Sequence, residues 1–550
     1  MITKLRSRLN FTSAFVATTL LFSQAQSVHA VDVTITSDTG TTVTNSATLD
    51  NFTNSATITT SGGDDGIHNS GTITTFTNSG TIIGGDDGIL NSGTITTITN
   101  SGTIIGGDDG IQNTGTITSL INSGSITGTY GVYAGGGTTL TTITNSGTIS
   151  GTLYGFFRAG VGETTNVINS GTISGTTAII NTGTVNLTLN KGSVLIGDLY
   201  VFSTGTLNIT SNVGASKSYA YTTSGTGTVT LNDLNNRPAI AGSAYAVNVG
   251  SMEMAGENLY QNTSNIIDAI ESNINTTETW VRPYYSESSR DAEGDSSAIR
   301  KFKNTKQGFI AGGAVKNSEI PLQFILNVDQ SENNIDSGEH KIDSNSITLG
   351  LVAPNFNKVG DYNLSLKGLV GYSKNDTDRK ILDNTSSTGE RVITGDYNSF
   401  NAIVGASLAK TINLDNGVKA NITIGADVVS EMRDSFSESL YFSYDKLNLV
   451  QLQPKIQSEF VKTLNNTSNA FVKVGVEARE LLSGKTQDFS ANSIKTSYTT
   501  PTTNDVYGTV VVGFNSKINN TINLFAEASA KNSGEEVSTY QASIGIKGTF

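Results

Sequence analysis

Six aspartates are the residues best suited to chemistry: Asp64-Asp65, Asp86-Asp87 and Asp108-Asp109, each pair inside a copy of G-G-D-D-G-I at a 22-residue period. If successive copies stack as β-coils, like charges lie about 5 Å apart on neighbouring coils. Two readings follow. Carboxylates in Gly-rich turns are hard ligands suited to calcium, which makes calcium the one candidate cofactor. The pattern departs from the calcium-binding nonapeptide G-G-x-G-x-D, however, and Asp-Gly turns also form solvated and metal-free. Catalytic groups are otherwise sparse. The chain has no Cys, and its histidines are His29, His68 and His340. His68 aligns with Leu90 and Gln112, a variable outward position, so neither a triad nor a His-rich metal site is spelled out. Polysaccharide lyases on solenoids pair acidic clusters with basic residues, yet between 31 and 239 the only Lys and Arg are Arg158, Lys191, Lys217 and Arg237. No enzyme is expected.

The element that must position the aspartates is a repeat. N-S-G-T-I begins at Asn69, Asn78, Asn91, Asn100, Asn145 and Asn169, with close variants at Asn113, Asn122 and Asn181. Superposed at the 22-residue period, four apolar columns emerge: Ile67/Ile89/Ile111, Ile73/Ile95/Ile117, Phe76/Ile98/Leu120 and Ile82/Ile104/Ile126. One apolar side chain per short strand, with Gly at the corners, is what a parallel β-solenoid requires. Asn69, Asn91, Asn113 and Asn78, Asn100, Asn122 then form two ladders whose amides can satisfy one another along the axis. About 210 residues make on the order of nine coils and a rod about 45 Å long, with insertions between Thr129 and Gly162. Flat polar ladders on such a rod suit self-association.

Residues 1–30 read as a signal peptide: Lys4, Arg6 and Arg8 precede the apolar run Phe11 to Phe22, and Val28-His29-Ala30 is a small-residue cleavage site. No other stretch offers the 18 or so apolar residues of a membrane helix, so any span must be a barrel. A net charge of −13 argues against a nucleic-acid partner, since a phosphate backbone needs a basic surface.

The C-terminus supplies the barrel signal. In Tyr540 to Phe550 the residues Tyr540, Ala542, Ile544, Ile546 and Phe550 share one face, and Gln541, Ser543, Lys547 and Thr549 the other. Tyr540 and Phe550 lie about 24 Å apart along a tilted strand, close to the roughly 25 Å between the aromatic girdles of an outer-membrane barrel. Twelve candidate strands follow Thr279, many alternating: Tyr362, Leu364, Leu366 and Val370 on one, Val418, Ile422, Ile424 and Val428 on another. Long polar connections, Ser286 to Asn304 and Lys374 to Gly395, alternate with tight ones such as Asn317-Ser318-Glu319. Before them, Gly250 to Asn275 reads as a helix with Met252, Ala255, Leu259, Ile266, Ile270 and Ile274 at helical spacing and Glu253, Glu257, Asp268 and Glu271 on polar faces.

This order of parts is all-β: signal peptide 1–30, parallel β-solenoid 31–239, linker and pore-spanning helix 240–278, and a 12-stranded transmembrane antiparallel barrel 279–550. It resembles the type Va autotransporters of Gram-negative bacteria, and Trp280-Val281-Arg282-Pro283-Tyr284-Tyr285 is similar to the opening of that family's first barrel strand. The resemblance implies that the barrel-assembly machinery inserts the barrel by reading the last strand, whose signal is Tyr540, Ile544, Ile546 and Phe550. It also implies that the passenger crosses the outer membrane to the cell surface. Self-cleaving members use an Asn-Asn pair inside the helix. Here Asn235-Asn236 precedes it, so a tethered passenger is expected. Expected partners are outer-membrane lipid, the assembly machinery, and other passenger copies or a host surface. The expected role is an adhesin or self-associating rod; a surface lyase or hydrolase and an outer-membrane channel are the alternatives.

Overall fold

The computed structural model describes residues 8–10, 31–235, 237–239, 244–274, 276–291, 300–316, 318–500, 504–534 and 536–548. The chain divides into two compact units, Met1–Val247 with Ile381–Arg391, and Asn248–Lys380 with Val392–Phe550. Apart from Arg8–Asn10, which runs parallel to Asp32, Val33 and Thr34, the signal-peptide segment lies outside the described residues.

The first unit contains a parallel β-solenoid of roughly nine turns. One sheet stacks Thr72–Asn78, Thr94–Asn100 and Thr116–Asn122 in the register that the repeat predicts, Ile73 over Ile95 over Ile117. A second sheet carries Ile67–Asn69, Ile89–Asn91 and Asp109–Asn113. All twelve residues of the four apolar columns are 0% exposed, so the columns are the core. The N-S-G-T-I motif now has a physical explanation at each position. Asn turns inward, Ser faces out, and Ile enters the core. The Gly lets coils touch: a Cβ on Gly93 would stand 2.1 Å from Gly71 O, and one on Gly115 2.1 Å from Gly93 O. Asn69 Nδ2 donates to Asn91 Oδ1 at 2.7 Å and Asn91 Nδ2 to Asn113 Oδ1 at 2.8 Å. The second ladder runs from Asn54 through Asn78, Asn100, Asn122 and Asn145 to Asn169. Insertions after Thr129 are absorbed as register shifts at Gly128/Tyr130 and Ser150/Tyr154, and the stack continues to Thr228–Asp233.

The second unit contains a 12-stranded antiparallel barrel. Its strands are β1 (Thr279–Arg290), β2 (Phe302–Ala314), β3 (Gln323–Ile335), β4 (His340–Val359), β5 (Tyr362–Asp383), β6 (Glu390–Asn413), β7 (Val418–Arg433), β8 (Leu447–Thr463), β9 (Ser468–Ser483), β10 (Asn504–Lys517), β11 (Ile522–Ser533) and β12 (Ser538–Gly548). β1 pairs with β12, Val281 opposite Ile546, which closes the ring and leaves no sheet edge. Side chains alternate as the two-residue period requires: Val370, Ile424, Tyr540, Ile544 and Ile546 are exposed on the outer surface, whereas Lys367, Leu369, Asp427, Gln541 and Ser543 are buried. Phe550 lies outside the described residues.

Three expectations change. The connections predicted at Ser286 to Asn304 and Lys374 to Gly395 are partly strand, with Arg290 still opposite Phe302. Hydrophobic alternation stops where the lipid face ends, but the backbone ladder does not. Among the loops a small antiparallel sheet of Phe436–Ser437, Phe442–Tyr444, Thr486–Ala491 and Ile494–Thr499 forms, which no periodicity announced. The predicted helix is two pieces, α1 (Gly250–Glu253) and α2 (Ala255–Asn273), interrupted at Met254.

Candidate functional site

α2 is about 28 Å long at 1.5 Å per residue; its apolar face is buried, and its polar face is buried at Glu257 and partly buried at Asp268 and Glu271. Ala255, Leu259, Ile266 and Ile270 pack on an apolar side of the barrel interior made by Trp280, Ile310, Ile325, Val352, Leu369, Ile403 and Val429. Trp280 fits because β2 is a glycine where the indole lies: a Cβ on Gly312 would be 2.6 Å from the ring. Glu257, Asp268 and Glu271, eleven and then three residues apart, share the opposite stripe. Sequence reasoning placed these acids on polar faces; the structure gives each a cation on the wall.

Glu271 pairs with Lys367 at 3.1 Å and with Lys455, and Gln457 donates to its other oxygen at 3.1 Å. The same two lysines hold Asp427 of β7, at 2.9 and 3.5 Å. Lys531 bridges Asp268 at 2.7 Å and Glu477 at 2.6 Å. Tyr260 donates to Glu477 and stacks on Tyr507, ring centroids 4.3 Å apart. Tyr507 in turn donates to Glu257 at 2.6 Å, and Arg479 lies 3.3 Å from the same oxygen. α2 has no basic residue in its last turn, and Gln323 of β3 instead donates to Ile274 O and Thr276 O at 3.2 and 2.5 Å. Buried charges are tolerated only when paired, and these are.

The loop sheet fastens the start of the helix. Arg379 donates to Glu438 at 2.9 Å, to the Tyr444 hydroxyl at 3.1 Å and to Asn248 O at 3.0 Å, while Tyr498 donates to Glu253 at 2.6 Å. The arrangement is a closed cylinder filled by its own linker and held at both ends. The cations that do this, Lys367, Lys455, Lys531 and Arg479, were missed from sequence. The available signal was a Lys or Arg on the wet side of a strand whose other side is lipophilic.

In the solenoid the structure separates the six aspartates. Asp64, Asp86 and Asp108 are exposed, Asp65 is half-buried, and Asp87 and Asp109 are 2% and 1% exposed. Among the described residues no group of three or more His, Asp or Glu side chains is arranged to hold a metal. Two of the acids serve the backbone instead: Asp87 Oδ1 accepts from Asp109 N–H at 3.1 Å, and Asp65 Oδ1 from Asp87 N–H at 3.4 Å. His68 stays partly exposed, its Nδ1 3.5 Å from Asp65.

Burial, then the Asp109 and Asp65 carboxylates, pushes Asp87 from 3.8 up to about 8. Burial pushes Asp109 up to about 7 against the lowering hydrogen bond from Gln112. Burial also raises Asp65, with Asp86 and Asp64 adding to it and Asp87 N–H and His68 opposing it. A raised acid binds its proton more tightly folded than unfolded, so its stabilisation is complete below the unfolded value and is lost as pH rises through the folded one. The solenoid is therefore expected to melt at progressively lower temperature from about pH 4 to about pH 8. Asp87→Asn with Asp109→Asn should flatten that slope; a melting temperature that rises with pH across this window contradicts the assignment.

Residues 279–529 match the family model described as the autotransporter beta-domain. Solved structures similar to the chain include the translocator domain of the autotransporter NalP from Neisseria meningitidis, at 17% identity and a TM-score of 0.42, covering 56% of this chain and 100% of that one. The transport unit of the autotransporter AIDA-I from Escherichia coli follows at 11% and 0.39, covering 55% and 99%, and the beta domain of the Bordetella autotransporter BrkA at 12% and 0.35, covering 50% and 99%. No curated protein matches the chain.

Proposed function

Since this chain is an autotransporter, with its barrel in the outer membrane and its β-solenoid as the exported passenger, we propose that the passenger is a tethered, non-enzymatic adhesive or self-associating rod. The observation that carries the proposal is the outer surface of the first solenoid sheet. There Asn51, Thr75, Thr97, Ser119, Thr142, Asn166, Asn186 and Asn208 stand in one uncharged rank, coil upon coil. Its hydroxyls from Thr75 to Thr142 repeat at about 4.8 Å, which a second rod or a periodic host surface can match, while Asn166, Asn186 and Asn208 bond to one another along the rank.

Two features of the helix support the tethered reading: α2 carries no Asn-Asn pair, and its acids pair with wall cations. Insertion is assigned to the barrel-assembly machinery reading β12, with Tyr540, Ile544 and Ile546 on the lipid side and Phe550 completing the signal. A channel is the weaker alternative, because the linker fills the cylinder.

Deleting residues 45–127 while keeping the barrel tests the reading. Lost clumping or surface attachment is the expected result. Lost turnover of a glycan would establish the enzyme instead, and unchanged clumping and attachment with altered permeability the channel.

A further inference from the structure

A group of four rings interrupts the Thr, Asn and Gly surface of the solenoid in its lengthened coils. Tyr130 and Tyr133 on one coil and Tyr154 and Phe157 on the next are all half-buried and mutually in contact. Tyr130 stacks on Tyr154 at 5.1 Å between centroids, Tyr133 lies 5.4 Å from Phe157, and Tyr154 meets Phe157 edge-on at 5.7 Å. Their register places Tyr130 over Asp109 and Tyr133 over Gln112, while the following coil carries Thr177 and Ile180 at the positions of Tyr154 and Phe157. The adjacent coils fill these positions with Asp109, Gln112, Thr177 and Ile180, none of them aromatic, so the stack does not require rings there.

What leads up to the rings is charge of one sign. Asp64, Asp86 and Asp108 are exposed on successive coils, linked through the backbone by Asp86 N–H to Asp64 O at 3.1 Å and Asp108 N–H to Asp86 O at 2.9 Å. Tyr130 N–H then donates to Asp108 O at 3.1 Å, so the last residue of the file adjoins the first ring of the quartet. The Asp108 carboxylate, after burial, pushes the Tyr130 hydroxyl up. Asp109 Oδ1, buried at the same corner, has no hydrogen-bond partner among the described residues. The sequence has no Lys or Arg from residue 31 to 157, and the first one, Arg158, is turned inward onto Gly135 O and Thr138 O at 3.2 and 2.8 Å. The coils that carry the file therefore hold no Lys or Arg of their own.

We propose that the quartet Tyr130, Tyr133, Tyr154 and Phe157, with the file Asp64, Asp86 and Asp108 leading to it, is a docking track for a basic segment of a protein partner. Arg or Lys side chains lie over the ring faces, where the quadrupole attracts a cation, and their neighbours along the segment pair with the carboxylates. Charge complementarity selects this occupant over a neutral glycan, which would have no use for the acidic file. The inference rests on the reading of the solenoid as an adhesive rod and names its partner class.

The test uses the purified full-length chain in zwitterionic detergent and a fluorescent Arg-rich peptide followed by anisotropy. Saturable binding that weakens with salt is expected, and Tyr133→Gln with Tyr154→Thr, residues that adjacent coils already carry at the same register, should weaken it at least about tenfold. Asp86→Asn with Asp108→Asn should weaken it comparably, and Tyr133→Phe with Tyr154→Phe should retain it. Wild-type binding in the Gln/Thr variant, with its melting temperature unchanged, overturns the proposal, as does a neutral oligosaccharide displacing the peptide. Absence of peptide binding while deletion of 45–127 still abolishes clumping overturns this inference and leaves the adhesive reading standing.

Discussion

Replacing Lys367 and Lys455 together by Met will destabilise the barrel more than any other pair of lumen substitutions. Both lysines contact both Glu271 and Asp427, so either single variant leaves each carboxylate one cation. The double variant removes every salt bridge that the wall lysines Lys367 and Lys455 make to these two buried carboxylates. Stripping the partner from a buried ion pair costs about 3–5 kcal/mol, because the remaining charge is neither hydrated nor compensated. The expected result is a large fall in the temperature at which the barrel loses its compact, detergent-resistant gel mobility, and a small fall for each single variant. Adding Glu271→Gln and Asp427→Asn to the double variant should restore much of the loss, since neutral amides in that place carry no uncompensated charge. An unchanged transition in the double variant would mean that the pairs do not hold α2 in place.

Asn91→Val is expected to produce the largest single-residue loss in the solenoid outside the apolar columns. Asn91 is 0% exposed and sits mid-ladder, accepting from Asn69 and donating to Asn113, Gly93 O and Thr116 O. Val fills a similar volume but leaves Asn113 Oδ1 without its donor, a cost of about 1–3 kcal/mol for a buried acceptor. Since each coil is stabilised chiefly by its neighbours, the loss should appear as earlier proteolytic cutting at the flanking coils rather than at Asn91 alone. Thr96→Val, on the exposed side of the same coil, should shift stability by less than about 0.5 kcal/mol. Equal protease resistance in the two variants would show the amide file to be incidental.

The repeat was legible because a fixed period converts sequence alignment directly into spatial stacking: Ile73, Ile95 and Ile117 had to share a column once Asn69, Asn91 and Asn113 did. The barrel was legible for a related reason, as Leu366 and Val370 alternate with Lys367 and Leu369 across a wall with two different solvents. Three features escaped. G-G-D-D-G-I puts its acids at a corner, where the two-residue period no longer says which side chain turns in, so the burial of Asp87 and Asp109 beside exposed Asp86 and Asp108 was invisible. The lumen cations pair with α2 across long stretches of chain, Lys367 with Glu271 and Lys531 with Asp268, and no local pattern encodes such partners. The ring quartet sits in the lengthened coils, where insertions broke the alignment that had exposed every other column.

The central claim is that a lipid-embedded barrel displays a covalently attached solenoid on the cell surface, and cysteine labelling tests it most directly because the chain has no native Cys. Thr96→Cys places one thiol on an exposed solenoid position. Treating intact cells with a membrane-impermeant maleimide should label it, and the label should fractionate with the outer membrane on a chain that still carries the barrel. Labelling only after lysis, or a labelled chain recovered as a detergent-free soluble monomer, would contradict the account.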